Sequence, residues 1–229
     1  MNRALITVSK KPEPGRTKTR LCPPLSGEQA AALYRSFLLD TLALMRQASL
    51  LPQLEGTQPV LAYTPDEAEP YFRALVPHGF DLVPQVGPDL GKRLHNVLSG
   101  CLQDGYEQVA VMDGDSPTLP VEILRQAFAA LNDPWIDVVF GPCEDGGYYL
   151  IGLKQPHAAL FCDIPMSTPQ VAEETLRRAE ALALHVHLLP RWYDVDVYAD
   201  LKRLKEELRS LPGDRARHTR AFLASAGIV

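Results

Sequence analysis

The chain has 229 residues, 46% hydrophobic and 22% charged, enough to bury a sizeable core in one large domain or two small ones. A formal net charge of −5 excludes the broad basic face of a general nucleic-acid binder, and no apolar run approaches the roughly 18 to 20 residues that span a bilayer. The four cysteines, Cys22, Cys101, Cys143 and Cys162, are scattered with no C-x-x-C pair, so they read as reduced thiols rather than a disulfide framework or a zinc knuckle. The N-terminus shows no basic region leading into an apolar stretch and a cleavage site, so the expected compartment is the cytoplasm.

Short β-branched apolar runs alternate with longer segments of helical period. In chain order the strands are LITV near residue 5, PVLAYT ending at Thr64, QVAVM ending at Met112, DVVFG ending at Gly141, YYLIGL ending at Leu153 and HVHLL ending at Leu189. The first helix opens on Ser26-Gly-Glu-Gln29, a capping box, and runs to about Met45. Further helices cover roughly Leu90 to Gln103, Val121 to Leu131, Pro169 to Leu182 with Thr168 as its cap, Ala199 to Leu208, and Arg215 to Ala224. Alternation of this kind implies a mainly parallel sheet covered on both faces, because parallel strands need crossover connections. With no linker, repeat or low-complexity tract, the chain reads as one domain.

Ligands of such sheets bind beyond the carboxyl ends of the strands, so the loops after strands are where chemistry belongs. The loop after the first strand, KPEPGRTKTRLCPP (Lys11 to Pro24), follows Lys10 and with it gathers Lys10, Lys11, Arg16, Lys18 and Arg20 against Glu13 alone. Gly15 permits close backbone approach, and Lys18, Thr19 and Arg20 offer charge and donors to phosphate oxygens. It is no Walker loop, since the glycine spacing is absent and Pro23 and Pro24 block a helix there. A solvated basic loop is the competing reading.

VMDGDSPTLP (Val111 to Pro120) places Asp113 and Asp115 at the end of a buried strand. Two carboxylates there suffer desolvation and mutual repulsion unless a cation neutralises them, as Mg²⁺ or Mn²⁺ with phosphate oxygens would. The alternative is that Asp115 caps a helix or a Ser-Pro turn. WYDVDVYADL (Trp192 to Leu201) again offers alternating carboxylates, Asp194 and Asp196, which would point one way in an extended segment, although Asp196 or Asp200 could equally begin a helix. GPCEDGGYYLIGL (Gly141 to Leu153) holds Glu144 and Asp145, acceptors for hydroxyl groups, and a Gly146-Gly147 pair suited to close approach or to a plain tight turn. His185 and His187, two apart, read as an exposed strand edge, Trp192 and Tyr193 as packing, and Leu201, Leu204 and Leu208 as the inner face of a helix.

These motifs resemble a family. Pro14-Gly15, Lys18-Thr-Arg-Leu21, Asp115-Ser-Pro-Thr-Leu-Pro120, Gly141-Pro, Glu144 through Gly152, Ile164-Pro, Ser167-Thr168 and Asp194-Val-Asp196 are similar to the bacterial glycosyltransferase-A family related to 2-phospho-lactate guanylyltransferase. Its members are provisionally named nucleotide-diphospho-sugar transferases, some beside arsenosugar biosynthesis. The resemblance covers almost the whole chain. It implies the nucleotide-diphospho-sugar transferase (GT-A, Rossmann-like) fold, a three-layer α/β/α sandwich with one late antiparallel strand. A nucleotide would lie over the first half of the sheet, with a divalent metal between Asp115 and the late aspartates. Three departures stand out: Asp113 and Gly114 replace glycine and serine or threonine, Met166 replaces tryptophan, and Val197-Tyr-Ala199 replace threonine, proline and glutamate.

On that resemblance Lys18 and Arg20, with Gly15, Arg16 and Thr19, bind the di- or triphosphate, while Asp115 and Asp196, joined by Asp113 and Asp194, hold Mg²⁺ or Mn²⁺. Gln85, Asp89, Gly91 and Arg93 line the nucleotide or sugar pocket, although Asp89 could simply cap the helix at Leu90. Glu144, Asp145, Gly146, Gly147, Ser167 and Thr168 face the sugar or acceptor, and Asp145 is the candidate base. The expected substrates are a nucleotide-sugar or a nucleoside triphosphate plus a small acceptor, with neither nucleic acid nor membrane, and such enzymes are habitually homodimers. Three classes of function follow: glycosyl transfer from a nucleotide-diphospho-sugar, nucleotidyl transfer with release of pyrophosphate, and non-catalytic nucleotide binding.

Overall fold

The computed structural model describes residues 2–228. Its elements in chain order are β1 (Arg3–Lys10), α1 (Gly27–Ser49), β2 (Thr57–Thr64), α2 (Glu69–Leu75), β3 (Asp81–Pro84), α3 (Leu90–Gln103), β4 (Gln108–Met112), α4 (Val121–Leu131), β5 (Val138–Pro142), β6 (Tyr148–Leu153), α5 (Val171–Ala181), β7 (Val186–Leu188), α6 (Tyr198–Ser210) and α7 (Arg217–Ser225). The strands form one sheet in the order β3-β2-β1-β4-β6-β5-β7. Only β6 runs against its neighbours β4 and β5. The physical reason is connection length: helical crossovers return the chain for another parallel strand, whereas the short turn 143–147 between β5 and β6 can only reverse it.

Successive side chains of a strand point to opposite faces, and here both faces are buried. On β1, Leu5 joins Leu38 and Leu42 of α1 and Phe128 of α4, while Ala4 and Ile6 face Leu94 and Leu98 of α3 and Phe161. Helices therefore cover the sheet on both sides, which gives the expected three layers. Each fully buried leucine in such a core contributes about 2 kcal/mol through area removed from water. A third cluster joins Leu33 and Phe37 of α1 to Leu201, Leu204 and Leu208 of α6 and Leu223 of α7, the inner face that helical spacing anticipated.

The capping box at Ser26 forms as expected, with the Gln29 N–H donating to Ser26 Oγ at 3.2 Å and the Ser26 N–H to Gln29 Oε1 at 2.9 Å. Several boundaries move. α1 continues past Met45 to Ser49. α5 begins at Val171 rather than Pro169, because the Thr168 hydroxyl donates to the Pro165 carbonyl at 2.7 Å instead of capping, and the Pro169 carbonyl lies against Gly146. α6 starts at Tyr198 and α7 at Arg217, and β7 is only Val186–Leu188. Two elements were not anticipated. β3 is a four-residue edge strand ending in proline, and α2 is a seven-residue helix with proline in its first turn, both too short to carry a periodic signal.

Candidate active site

All the loops singled out above lie at the carboxyl edge of the sheet, and hydrogen bonds bind them into one assembly. β1 and β4 are parallel and in register from Arg3↔Gln108 to Thr7↔Met112, so the loops that follow them open side by side. The late segment is laid across the loops after β4 and β5. The Val195 N–H donates to the Asp115 carbonyl at 3.0 Å, the Ser116 hydroxyl to the Tyr193 carbonyl at 3.0 Å, and the Glu144 N–H to the Trp192 carbonyl at 3.0 Å.

Lys18 is the centre of this arrangement. It takes a left-handed backbone conformation (φ 49°) just before a short 3-10 turn, Thr19–Leu21, and its side chain is only 6% exposed. Its Nζ lies 2.9 Å from Asp115 Oδ2 and 3.5 Å from Asp196 Oδ1. Arg20 reaches the other Asp196 oxygen from the solvent side. Burial alone would lower the Lys18 ammonium, but Asp115, with Asp196 and Asp194 behind it, holds it above the usual lysine range.

The carboxylates are poorly neutralised even so. Burial, then the Asp115 charge, pushes Asp113 well above the usual carboxylate range, although the Ser116 hydroxyl donates to its Oδ2 at 2.8 Å. Burial and the neighbouring Asp145 charge push Asp194 up to about 6, with Lys18 opposing. Asp113 Oδ1 and Asp115 Oδ1 are buried without a hydrogen-bond partner. One oxygen each of Asp145 and Asp194 lies within 4.8 Å of the other and of Cys143 Sγ. Burial raises the Cys143 thiol far from the thiolate that would ligate a metal, so the useful donors here are oxygens, the set that hard cations prefer.

Asp113, Asp115, Asp145, Asp194 and Asp196 line a cleft of about 470 Å³ together with Arg20. Its lining is mixed, since Leu90 and Leu94 of α3, Tyr148 of β6, Met166 and Val171 add apolar surface and Ser167 and Thr168 add hydroxyls. Sequence reasoning placed Ser167 and Thr168 at the substrate but missed the apolar residues Leu90, Leu94 and Val171 beside them, and noted Met166 only as a departure.

Other expected residues are placed less directly. The Gly147 N–H donates to Asp145 Oδ1 at 2.8 Å, which fixes that carboxylate at the rim. Gly146 has φ +92° and no room for a Cβ beside the Pro169 carbonyl, so its lack of a side chain serves the close packing of loop on loop. Glu144 accepts from the two terminal guanidinium nitrogens of Arg203, at 2.5 and 2.9 Å. Arg203 in turn lies 3.9 Å over the Tyr193 ring. Arg16 pairs with Glu13 at 3.3 Å, and Gly15 turns the loop at φ +72° with open space where a Cβ would stand. The Gln85 amide donates to the carbonyls of Ser9 and Ala62, Asp89 caps α3 by accepting from the Lys92 N–H, Gly91 makes room for the Phe161 carbonyl, and Arg93 Nε donates to the Gly87 carbonyl. His185, just before the edge strand β7, lies 3.3 Å from Asp137, just before β5, far in the sheet order from β1.

The DUF2064 family, described as uncharacterized protein conserved in bacteria, matches residues 47–168, more than half of the chain. The chain belongs to the DUF2064 family. That match includes Asp113, Asp115, Asp145 and Met166, while Lys18, Arg20, Asp194 and Asp196 lie outside it. No curated protein matches this DUF2064 sequence. Among solved structures, a protein of Desulfovibrio desulfuricans G20 provisionally named a nucleotide-diphospho-sugar transferase is 30% identical, with a TM-score of 0.88, over 100% of this chain and 96% of that one. CMP:2-keto-3-deoxy-manno-octonic acid synthetase, solved with CTP, shares the fold at 12% identity and a TM-score of 0.56, over 91% of this chain and 99% of that one. So does Rv0371c of Mycobacterium tuberculosis H37Rv, solved with manganese, at 18% identity and a TM-score of 0.52, over 92% and 100% of the two chains. The expected nucleotide-diphospho-sugar transferase fold is thus the one observed. No helix among the described residues is long and apolar enough to cross a membrane.

Proposed function

We propose that this protein is a metal-dependent transferase acting on a nucleotide donor, moving a glycosyl group from a nucleotide-diphospho-sugar to a small acceptor. One observation carries the reading: Lys18 meets Asp115 and Asp196 at a single point on the carboxyl edge, where loops far apart in sequence bring opposite charges together. The neighbours described above support the coarser class, a nucleotide-utilising transferase.

The residues fit a hard divalent ion, since two buried carboxylate oxygens lack partners and the accessible donors are all oxygen. Asp115 and Asp196, with Asp113 and Asp194, would hold Mg²⁺ or Mn²⁺, and Asp145 lies within reach of the same ion. When bound, such an ion supplies positive charge to the phosphate oxygens as the nucleotide leaves. Lys18 and Arg20 donate to those oxygens, aided by the Thr19 backbone and by Arg16 once it leaves Glu13. Asp145, held at the rim by the Gly147 N–H, accepts the proton of the acceptor hydroxyl. Ser167 and Thr168, in the lining of the same cleft, offer hydroxyls to the sugar.

Nucleotidyl transfer to a phosphorylated acceptor would use the same groups, and the run of cations from Lys10 to Arg20 suits a triphosphate. Products separate the two: a nucleoside diphosphate means glycosyl transfer, and pyrophosphate from a nucleoside triphosphate means nucleotidyl transfer. The first test is a melting screen of nucleotides and nucleotide-sugars with Mn²⁺, since a ligand at 100 times its Kd stabilises by about 2.7 kcal/mol. Asp115→Asn and Asp196→Asn should each abolish the Mn²⁺-dependent part of the shift and reduce turnover by at least about tenfold. If both variants keep full nucleotide binding and the wild type turns nothing over, the protein is a non-catalytic nucleotide binder.

A further inference from the structure

Two of the cleft's carboxylates already hold a cation, and that cation is covalently tethered. Lys18 Nζ is 2.9 Å from Asp115 Oδ2 and 3.5 Å from Asp196 Oδ1, with the side chain 6% exposed. It sits on the very carboxylates to which the functional reading assigns the divalent ion. Both oxygens of Asp196 are taken, one by Lys18 and one by Arg20, and an ion on the same two carboxylates would be repelled by the ammonium at a few ångströms, so departure of the ammonium favours the ion. The ammonium is the mobile partner, because it hangs on a flexible four-carbon stem. Its backbone, in contrast, is set: Leu21 and Cys22 donate back to the Lys18 and Thr19 carbonyls at 2.9 and 3.0 Å. Arg20 cannot take over the role, since it reaches only Asp196 and is 70% exposed.

We propose that Lys18 is an internal counter-ion that blocks the divalent site until a pyrophosphate group arrives to accept it, so that metal and polyphosphate bind with positive coupling. The inference rests on the functional reading above. In the free protein Lys18 holds Asp115 and Asp196 together and metal binds weakly. A pyrophosphate oxygen then gives the ammonium a new anionic partner, and Asp115 and Asp196 are released to the ion. By linkage the metal must raise pyrophosphate affinity by the same factor that pyrophosphate raises metal affinity. Lys18 is in this sense a positioning residue for the metal as well as a phosphate ligand. A lysine that only held the loop in place would affect both ligands in the same direction.

The test measures two affinities separately. Mn²⁺ alone is titrated by electron paramagnetic resonance, and inorganic pyrophosphate alone by calorimetry in the presence of EDTA. Lys18→Met should bind Mn²⁺ at least tenfold more tightly than wild type and pyrophosphate at least tenfold more weakly. Lys18→Asn, which tolerates the left-handed backbone, should behave alike and serves if the Met variant does not fold. In the wild type, acylation of the Lys18 amine, read by mass spectrometry, should rise as Mn²⁺ saturates and fall again when pyrophosphate is added. Equal or weaker Mn²⁺ binding by the variants, or acylation indifferent to Mn²⁺, overturns the counter-ion role and leaves the functional reading standing. Absence of Mn²⁺ binding by wild type and variants alike, with pyrophosphate present or not, overturns both.

Discussion

At the scale of single residues, the site's behaviour comes from carboxylates held closer than their charges favour. Asp194 is raised from 3.8 to about 6, first by burial and then by Asp145, and Asp113 is raised in the same sense. The fold therefore favours the protonated forms. The contribution of Asp194 is complete below its unfolded value of 3.8 and is lost as pH rises through about 6. Asp194→Asn, which mimics the uncharged carboxyl, should melt higher than wild type by roughly 2–4 °C at about pH 8 and lose the advantage near pH 4. Melting curves of the ion-free proteins across that window check it, and a constant difference at all pH values would contradict it. A site that holds its own groups at a cost to stability is what a later ligand can relieve.

At the scale of elements, two joints hold the frame of the cleft. The first pins α7 to α1: buried Asp40 accepts from the His218 N–H at 2.9 Å, the Thr219 N–H at 2.8 Å and the Thr219 hydroxyl at 2.6 Å. Asp40→Ala leaves those donors buried and unpaired at the start of α7, which costs about 2 kcal/mol and should lower Tm by roughly 4–8 °C in calorimetry. The second joint packs the β5–β6 turn against residues 166–169 through Gly146. Gly146→Ala meets a left-handed backbone at φ +92° and the Pro169 carbonyl together. It should cost about 1–3 kcal/mol and speed proteolytic nicking in the segment 162–168, while Asp40→Ala leaves that segment as resistant as before. Sequence periodicity located the long helices on either side of these joints, because a helix of a dozen residues repeats its apolar face several times. It could not locate β3 or α2, whose four and seven residues repeat nothing.

At the scale of the whole molecule, one sheet runs from β3 to β7 under helices on both faces, so no strand can be removed without uncovering the next. Calorimetry should accordingly show a single cooperative transition whose calorimetric and van't Hoff enthalpies agree, and two resolved transitions would divide the chain into two units. Much of this architecture could be read from the residues in order. Apolar runs at strand spacing, amphipathic helices between them and the Ser26 capping box are local signals, each written within a dozen residues. The carboxylate and cation motifs were equally visible, as Lys18, Arg20, Asp115, Asp194 and Asp196. What tertiary structure alone decided is which of them meet. Lys18 and Asp196 are brought to 3.5 Å by the parallel register of β1 and β4 and by the segment laid across the loops after β4 and β5, and no local pattern encodes that distance. Nor could spacing show that Glu144 is occupied by Arg203 or that Asp89 serves its own helix. Residue type sets what a side chain is able to do, whereas the partner it finds depends on long-range packing, and function depends on the partner.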